Sequence, residues 1–226
     1  TLFPYTTLFR SGELFFNGEA LKANAPIDSI KRGMAYLPED RKAESIIADL
    51  SIRENMMIAL QAKTGVFKLL PMQKQLELTN KYIKALQIKT PSTETPIKAL
   101  SGGNQQKVII GRWLVTNPDF LILDEPTSSL NEEETAHLFK IMRQLQKQGL
   151  GIIFISHFLD QIYEICDHIT VLRNGELVGA YETAKLPRLE LIAKMVGKDL
   201  NEVKDMGGSV KACLKAPFVQ NRGDKG

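Results

Sequence analysis

Two acidic residues follow a short apolar run in the segment FLILDEP, which covers residues 120–126. If the run is a strand, Asp124 and Glu125 lie at its carboxyl end, where open parallel sheets place their ligand crevices. A magnesium-bound triphosphate requires an acidic residue near the metal, and its hydrolysis requires a second group that orients or deprotonates water. Asp124 suits the first task and Glu125 the second. A strand that runs into an acidic turn explains LILDE alone equally well, so the context must decide.

Two further motifs supply this context. Ser101, Gly102 and Gly103 precede a helical pattern that we assign to Gln105–Leu114. Glycines let the backbone approach an anion closely, and the free N–H groups of a helix start can face a phosphate. His157 ends an Ile-rich run, where an imidazole can contact a terminal phosphate. A capped helix and a structural histidine explain each motif alone, but their order and spacing together favour a nucleotide site.

The segments around these motifs alternate between strands and helices. The apolar runs FLIL and GIIFIS predict two strands, and the segment between them predicts a helix. Asn131 and Glu134 have capping-box spacing at the start of this helix, and Gly149 ends it. Its apolar stripe consists of Leu138, Ile141, Met142 and Leu145. Strand, helix and strand in this order predict a parallel sheet.

Two other patterns predict antiparallel hairpins and a helical subdomain. FFNGEAL (15–21) and VLRNGELVG (171–179) each place Asn-Gly between apolar or β-branched residues, as a two-residue hairpin turn requires. Residues 51–88 contain two long segments of mixed polarity, separated by TGVFKLLP, and both read as helices.

Composition excludes several classes of protein. The 226 residues are 43% hydrophobic, which is ample for a buried core, yet no apolar run spans a membrane and no export signal is recognisable. Cys166 and Cys213 are too few for a disulfide framework or a thiolate metal site, which favours a reducing cytosol. The formal charge of +3 is mild and no basic stripe is interleaved with aromatics, so we expect no nucleic-acid partner.

Three motifs in combination resemble those of the ATPase subunits of ABC (ATP-binding cassette) transporters. LSGGNQQKV is similar to the family signature, LILDEPTSSLN to its Walker B motif and D-loop, and IIFISH to its His switch. Over roughly residues 12–200 the chain resembles above all the subunits of bacterial importers of ribose, galactose, xylose and related monosaccharides. The resemblance implies a P-loop-NTPase-like α/β fold with a parallel sheet core, antiparallel β hairpins and a helical subdomain.

The resemblance also implies ATP and Mg²⁺ as cofactors, and it assigns roles to single residues. Asp124 would bind Mg²⁺, Glu125 would activate water, and His157 would sense the γ-phosphate. The residues that would contact the γ-phosphate of ATP held by an opposing cassette are Ser101, Gly102 and Gly103.

Three more positions are nucleotide-binding candidates. Glu39 stands where the family has its Q-loop glutamine, and a carboxylate there can still meet Mg²⁺ or water, although PEDRK is also typical of a charged turn. Asn131 replaces the aspartate that is common at the end of the D-loop. The sugar-importer subunits contain two fused cassettes. Asn104 with the following QQKV resembles the second cassette, and so do residues 33–55, whereas residues 127–179 resemble the first. Which cassette this chain represents stays open.

The sequence contains no G-x-x-x-x-G-K-[ST] motif, the Walker A loop that holds the phosphates. In the resembled family this loop precedes the hairpin GELFFNGEAL, whereas here only TLFPYTTLFRS precedes it. We expect the chain to be a fragment and residues 1–11 to derive from a cloning or assembly junction.

The expected organisation has five parts: a non-family stretch (1–11), a partial core with a β hairpin and the Q-loop region (12–48), a helical subdomain with the signature (49–112), the ATPase core (113–200) and a tail (201–226). By resemblance the chain is an ATP-binding and ATP-hydrolysing subunit that energises monosaccharide import and is inactive alone. Its partners would be a second cassette, a transmembrane permease and, indirectly, a periplasmic or extracellular sugar-binding protein, at the cytoplasmic face of the bacterial plasma membrane. The alternatives are a non-catalytic ABC-like module that donates its signature to a partner cassette, and a nucleic-acid-associated ABC ATPase.

Overall fold

The computed structural model describes residues 15–16, 18–20, 25–40, 44–65 and 67–199. The chain divides into two compact units, Thr1–Ile155 and Ser156–Gly226. The predicted parts 12–48, 49–112 and 113–200 are finer than these units and stay predictions. The stretch 1–11 and the tail 201–226 lie outside the described residues.

The described residues of the first unit form two hairpin strands, five α-helices and a three-stranded sheet. In chain order these are β1 (Phe15–Phe16), β2 (Glu19–Ala20), α1 (Pro26–Lys31), β3 (Met34–Leu37), α2 (Ile52–Thr64), α3 (Met72–Ala85), a 3₁₀ turn (Ile97–Ala99), α4 (Gly102–Leu114), β4 (Phe120–Asp124), α5 (Glu132–Lys147) and β5 (Gly151–Ile155). The first predicted hairpin is confirmed, because Phe15 pairs with Ala20 and Phe16 with Glu19 in antiparallel register.

Strands β3, β4 and β5 form a parallel sheet with β4 at its centre. Leu37 pairs with Leu123, and Asp124 pairs with Ile155, so the carboxyl ends of all three strands lie at one edge. The predicted strands FLIL and GIIF and their parallel pairing are confirmed. The helix between them begins with the predicted capping box, in which the Asn131 side chain accepts from the Glu134 N–H.

Helices α2 and α3 confirm the two helices predicted within residues 51–88. Together with α4, which contacts both, they form a helical layer. Its most buried apolar side chains are Ile52, Met56, Ile97, Val108 and Ile109, each with no exposed surface. A Cβ atom at Gly111 would lie 3.0 Å from Met56 Cε and 3.3 Å from Leu86 Cδ1. Gly111 therefore allows α4 to approach α2 and the end of α3 closely.

The second unit contains helix α6 (Leu159–Ile165), strands β6 (His168–Arg173) and β7 (Glu176–Glu182), a 3₁₀ turn (Thr183–Lys185) and helix α7 (Arg188–Val196). Strands β6 and β7 form the second predicted hairpin, and Asn174 and Gly175 at its turn have φ angles of 53° and 81°. Two consecutive positive φ angles are what a two-residue hairpin turn of this type requires. The core of this unit consists of Leu159, Ile169, Val171, Leu186, Leu191, Ile192 and Ala193.

Candidate nucleotide site

Asp124 is the last residue of the central strand, and Glu125 follows it with a φ angle of +44°. This left-handed conformation is uncommon for a residue with a side chain and persists only where the surroundings hold it. Three hydrogen bonds do so here. The Glu125 N–H donates to the Ile155 carbonyl at 3.0 Å, and the Glu125 carbonyl accepts from the Ser128 N–H at 3.2 Å and from Gln106 Nε2 at 3.4 Å. The backbone that presents the second carboxylate is therefore fixed from both sides.

Burial and the charge of Glu125 raise the pKa of the Asp124 carboxyl, while a hydrogen bond from Tyr36 opposes them. The Tyr36 hydroxyl donates to Asp124 Oδ2 at 3.5 Å. Burial and a neighbouring negative charge both disfavour the ionised form of a carboxyl group, and a nearby cation stabilises that ionised form. Oxygen ligands of this kind fit Mg²⁺, which a protein usually binds through one or two carboxylates while phosphate oxygens and waters complete the shell. No cluster of three or more His, Cys, Asp or Glu side chains suited to a metal occurs in the described ranges.

Strand β3 brings two more groups to this edge of the sheet. Glu39, which is exposed, stands two residues beyond the end of β3 at Leu37. Burial raises the pKa of the Tyr36 hydroxyl, and the charges of Asp124, Glu44 and Glu39 raise it further. Glu39 therefore acts electrostatically on the same hydroxyl that donates to Asp124. Sequence analysis missed Tyr36, since no local pattern distinguishes it within MAYL.

The signature helix α4 begins at Gly102, so the predicted start at Gln105 is wrong. Ser101 is the N-cap, and its Oγ accepts hydrogen bonds from the Asn104 N–H at 3.5 Å and from Asn104 Nδ2 at 3.0 Å. Gly102 and Gly103 therefore form the first helical turn, where N–H groups have no intrahelical acceptor. These donors and the positive end of the helix dipole suit an anion.

The Asn104 side chain is buried and is bonded at both ends. Its Nδ2 donates to Ser101 Oγ, and its Oδ1 accepts from the Lys89 N–H at 2.9 Å. Asn104 thus orients the Ser101 hydroxyl and connects the signature helix to the backbone of Lys89. Its assignment as a nucleotide ligand stays a prediction.

Gly103 packs against the chain's own D-loop region. A Cβ atom there would lie 3.0 Å from the Ser129 carbonyl oxygen, 3.2 Å from Glu134 Oε2 and 3.3 Å from Leu130 Cδ2. Sequence analysis explained this glycine by the approach of a phosphate, but close packing within the chain explains it as well. Asn131, the nucleotide-binding candidate in the D-loop, caps α5: its Oδ1 accepts from the Glu134 N–H at 2.8 Å.

Two residues of the signature helix connect it to Glu125, Pro126 and the start of α5, and sequence analysis missed both. Gln106 Nε2 donates to the carbonyl oxygens of Glu125 and Pro126. Lys107 Nζ lies 2.7 Å from Glu134 Oε1, and the Lys107 side chain is only 7% exposed. No local signal identifies these pairs, because each joins residues far apart in sequence.

His157 belongs to the second unit, and its predicted role as a γ-phosphate sensor stays a prediction. Its ring lies against that of Phe158, with centroids 4.0 Å apart.

Comparison with solved structures establishes the fold class. An ATP-binding cassette dimer in a post-hydrolysis state with ADP and Pi superposes with a TM-score of 0.68 at 18% identity, over 77% of this chain and 74% of that chain. A nucleotide-free ATP-binding cassette from an ABC transporter superposes with a TM-score of 0.65 at 20% identity, over 86% and 77% of the two chains. The chain therefore has the P-loop-NTPase-like α/β fold of the ABC cassettes, as the resemblance implied.

Sequence comparison then gives the family. The family model described as "ABC transporter" matches residues 4–128, more than half of the 226, and the chain belongs to this family. The fructose import ATP-binding protein of Bifidobacterium longum is 40% identical over 172 residues, which are 76% of this chain and 34% of that protein. The galactofuranose transporter ATP-binding protein of Escherichia coli K12 is 39% identical over 176 residues, or 78% and 35%.

A ribose import ATP-binding protein of Bacillus cereus is 34% identical over 197 residues, which are 87% of this chain and 40% of that protein. The chain thus spans about a third of the length of the curated relatives that it matches. In the described part of the chain, no helix is both long enough and apolar enough to cross a membrane.

Proposed function

We propose that this chain is part of the ATP-binding and ATP-hydrolysing subunit of an importer for a monosaccharide. Membership of the ABC transporter family and the relatives named for fructose, galactofuranose and ribose import support this proposal. ATP and Mg²⁺ would be the cofactors. The transported sugar is not assigned, since an ATP-binding subunit carries no sugar site of its own.

The observation that carries the proposal is the joint placement of the acidic pair and the signature helix. Asp124 ends the central strand of the sheet, Glu125 follows it, and Gln106 of α4 donates directly to the Glu125 carbonyl. In the complete subunit Asp124 would bind Mg²⁺, and Glu125 would orient and deprotonate the attacking water at the subunit's own ATP site. His157 senses the γ-phosphate, and Glu39 and Asn131 contribute further polar groups at the site.

The signature would serve a second site. Ser101, Gly102 and Gly103 would donate to the γ-phosphate of ATP that another cassette holds in its own Walker A loop. The sequence printed here has no such loop, so it lacks the lysine and the backbone N–H groups that hold the β- and γ-phosphates. We therefore propose that this chain alone does not turn over ATP and that it supplies the signature half of a shared site.

The proposed partners are a second ATP-binding cassette, which is either identical or different, and a transmembrane sugar permease with its external sugar-binding protein. This assembly would place the chain at the cytoplasmic face of the plasma membrane. A permease gene beside the coding sequence would support it.

The test combines the chain with a cassette that carries a Walker A loop but has its signature serine replaced by arginine. We expect magnesium-dependent ATP hydrolysis only in the mixture. The variant Ser101→Arg should abolish it, because a bulky cation blocks the signature contact with the γ-phosphate. The matched variant Glu125→Gln should leave it unchanged, because the water at the shared site is activated by the partner's own glutamate.

Three results would contradict the proposal. The mixture could show no hydrolysis above that of the separate proteins, or Ser101→Arg could be without effect. Alternatively, the chain alone could hydrolyse ATP in a manner that depends on magnesium and on Glu125, which would show that it forms a complete site.

A further inference from the structure

The loop between helices α2 and α3 presents apolar side chains to solvent. Phe67 is fully exposed, Leu69 is 79% exposed and Met72 is 56% exposed. We call these three residues the apolar tip. Single exposed apolar residues are ordinary on a protein surface, but three within six positions, two of them almost without protein contacts, form a patch that marks an interaction surface.

The backbone of this loop is held in place by two glutamines. Gln61 Nε2 donates to the Gly65 carbonyl at 2.8 Å and to the Lys68 carbonyl at 3.0 Å, and Gln61 Oε1 accepts from the Leu70 N–H at 3.2 Å. Gln75 Nε2 donates to the Leu70 carbonyl at 2.8 Å. These bonds tie both ends of the loop to the flanking helices. Phe67 and Leu69 are therefore presented outward by an ordered backbone, which lowers the entropy cost of binding.

Lysines predominate around the apolar tip. From Met56 to Leu76 the sequence contains three lysines, Lys63, Lys68 and Lys74, and no aspartate or glutamate. Lys68 stands between the two most exposed apolar residues, and Lys74 lies 3.9 Å (Nζ to Oε2) from the next acidic residue, Glu77. Exposed apolar side chains beside a net excess of lysines are the pattern of a segment that contacts an anionic membrane surface.

We propose that the apolar tip docks on an anionic lipid surface. Phe67 and Leu69 would insert to the level of the headgroups, while Lys68 and Lys74 would lie against lipid phosphates. A rim with a net positive charge, in which Lys68 has no acidic residue within eight positions, fits an anionic lipid surface directly, whereas a protein partner would need both an apolar groove and matching carboxylates. This contact requires no nucleotide, so it stands or falls independently of the proposed ATP site.

The experiment measures co-sedimentation of the full chain with two kinds of unilamellar vesicle, one of phosphatidylcholine alone and one of equal parts phosphatidylcholine and phosphatidylglycerol. We expect binding to the second kind and at least about tenfold weaker partitioning to the first, with binding to the anionic vesicles falling as salt increases. The double variant Phe67→Asp, Leu69→Asp should lose at least about tenfold in partition coefficient, because both apolar anchors are removed.

A matched control is Leu177→Asp, since Leu177 in β7 is exposed to a similar degree, 67%, but lies outside the loop. It should bind like the wild type. The double variant Lys68→Gln, Lys74→Gln should weaken binding to the anionic vesicles alone. Circular dichroism should show that these variants stay folded, because every changed side chain is exposed.

An additional readout is the fluorescence of Phe67→Trp, whose emission should shift to the blue in the presence of anionic vesicles. The proposal is overturned if the wild type binds neither kind of vesicle. The apolar tip would then be a candidate surface for a protein partner instead. The proposal is equally overturned if both kinds bind alike, or if the aspartate double variant keeps wild-type binding.

Discussion

The buried side chain of Asn55 is the centre of a hydrogen-bond network, and its replacement by alanine should destabilise the first unit strongly. Asn55 has no exposed surface. Its Nδ2 donates to the carbonyls of Ile47, Leu50 and Ser51, and its Oδ1 accepts from the Ile47 N–H and from Arg112 Nη2. The network thus ties the segment before α2 to the end of the signature helix.

The cost of Asn55→Ala follows from which groups lose their last partner. The three carbonyls keep other donors, since Ile47 O accepts from the Leu50 N–H, Leu50 O from the Ile97 N–H and Ser51 O from the residue 55 N–H. The Ile47 N–H and Arg112 Nη2 are the two donors that lose the Asn55 Oδ1 acceptor. Arg112 is buried, which lowers its pKa to about 10 and leaves it charged at neutral pH.

A hydrogen bond to a charged group is worth about 1.5–3 kcal/mol and a neutral one about 1 kcal/mol. The half-exposed Ile47 can recover part of its loss from water. With about 1 kcal/mol for the space left by the side chain, the expected loss is about 4 kcal/mol.

Urea unfolding and a thermal melt measure this loss, and about 4 kcal/mol should lower the Tm by roughly 10 °C in a chain of this size. The matched control is Thr79→Ala. Thr79 is equally buried, but its hydroxyl bonds to the Gln75 carbonyl within its own helix, so about 1 kcal/mol should be lost with this bond and about 1 kcal/mol with the buried methyl group, about 2 kcal/mol in all. Hydrogen exchange should show faster exchange at the Ile47 amide in Asn55→Ala alone. If the two variants are equally stable, or if that amide keeps its protection, the network does not have the role inferred from its geometry.

Two further predictions concern titratable groups. The hydrogen bond and charge of Lys107 lower the pKa of Glu134. The ionised Glu134 therefore stabilises the fold fully above its ordinary pKa of 4.5, and this stabilisation is lost as the pH falls through the lowered pKa. Glu134→Gln should reduce the loss of stability over that acidic range, as measured by urea unfolding at a series of pH values. Glu125→Gln should lower the pKa of Asp124, because it removes a repelling charge, and Tyr36→Phe should raise that pKa, because it removes a stabilising hydrogen bond. NMR titration of the Asp124 carboxyl carbon measures both shifts, and shifts in the same direction would contradict this reasoning.

The elements that could be predicted from the sequence are those with local signals. The α5 helix has its cap and its stripe within a few residues, and the β6–β7 hairpin has Asn174-Gly175 at its turn. Strand β3 was not predicted from its own residues, because MAYL is four residues long and becomes a strand only by pairing with the distant β4. Tyr36 at the acidic site was missed for the same reason.

The start of the signature helix shows how tertiary contacts override propensity. Glycine in a helix costs about 1 kcal/mol relative to alanine, so propensity alone favours a start after Gly103. The structure starts the helix at Gly102, because Ser101 caps it, and Gly103 avoids a tight contact of 3.0 Å between a Cβ atom and the Ser129 carbonyl oxygen. The acidic pair could be predicted because both residues follow a strand pattern, whereas the contacts that fix their backbone could not.

The signature helix contacts both the residue after the central strand and the start of α5. Gln106 and Lys107, which lie one turn beyond the signature glycines, bond to the Glu125 carbonyl and to the Glu134 carboxylate respectively. A displacement of α4 therefore breaks these two bonds unless Glu125 and the start of α5 move with it. If, as proposed, the signature serves a neighbour's ATP while Glu125 serves the chain's own side, these two bonds are the direct physical link between the two sites.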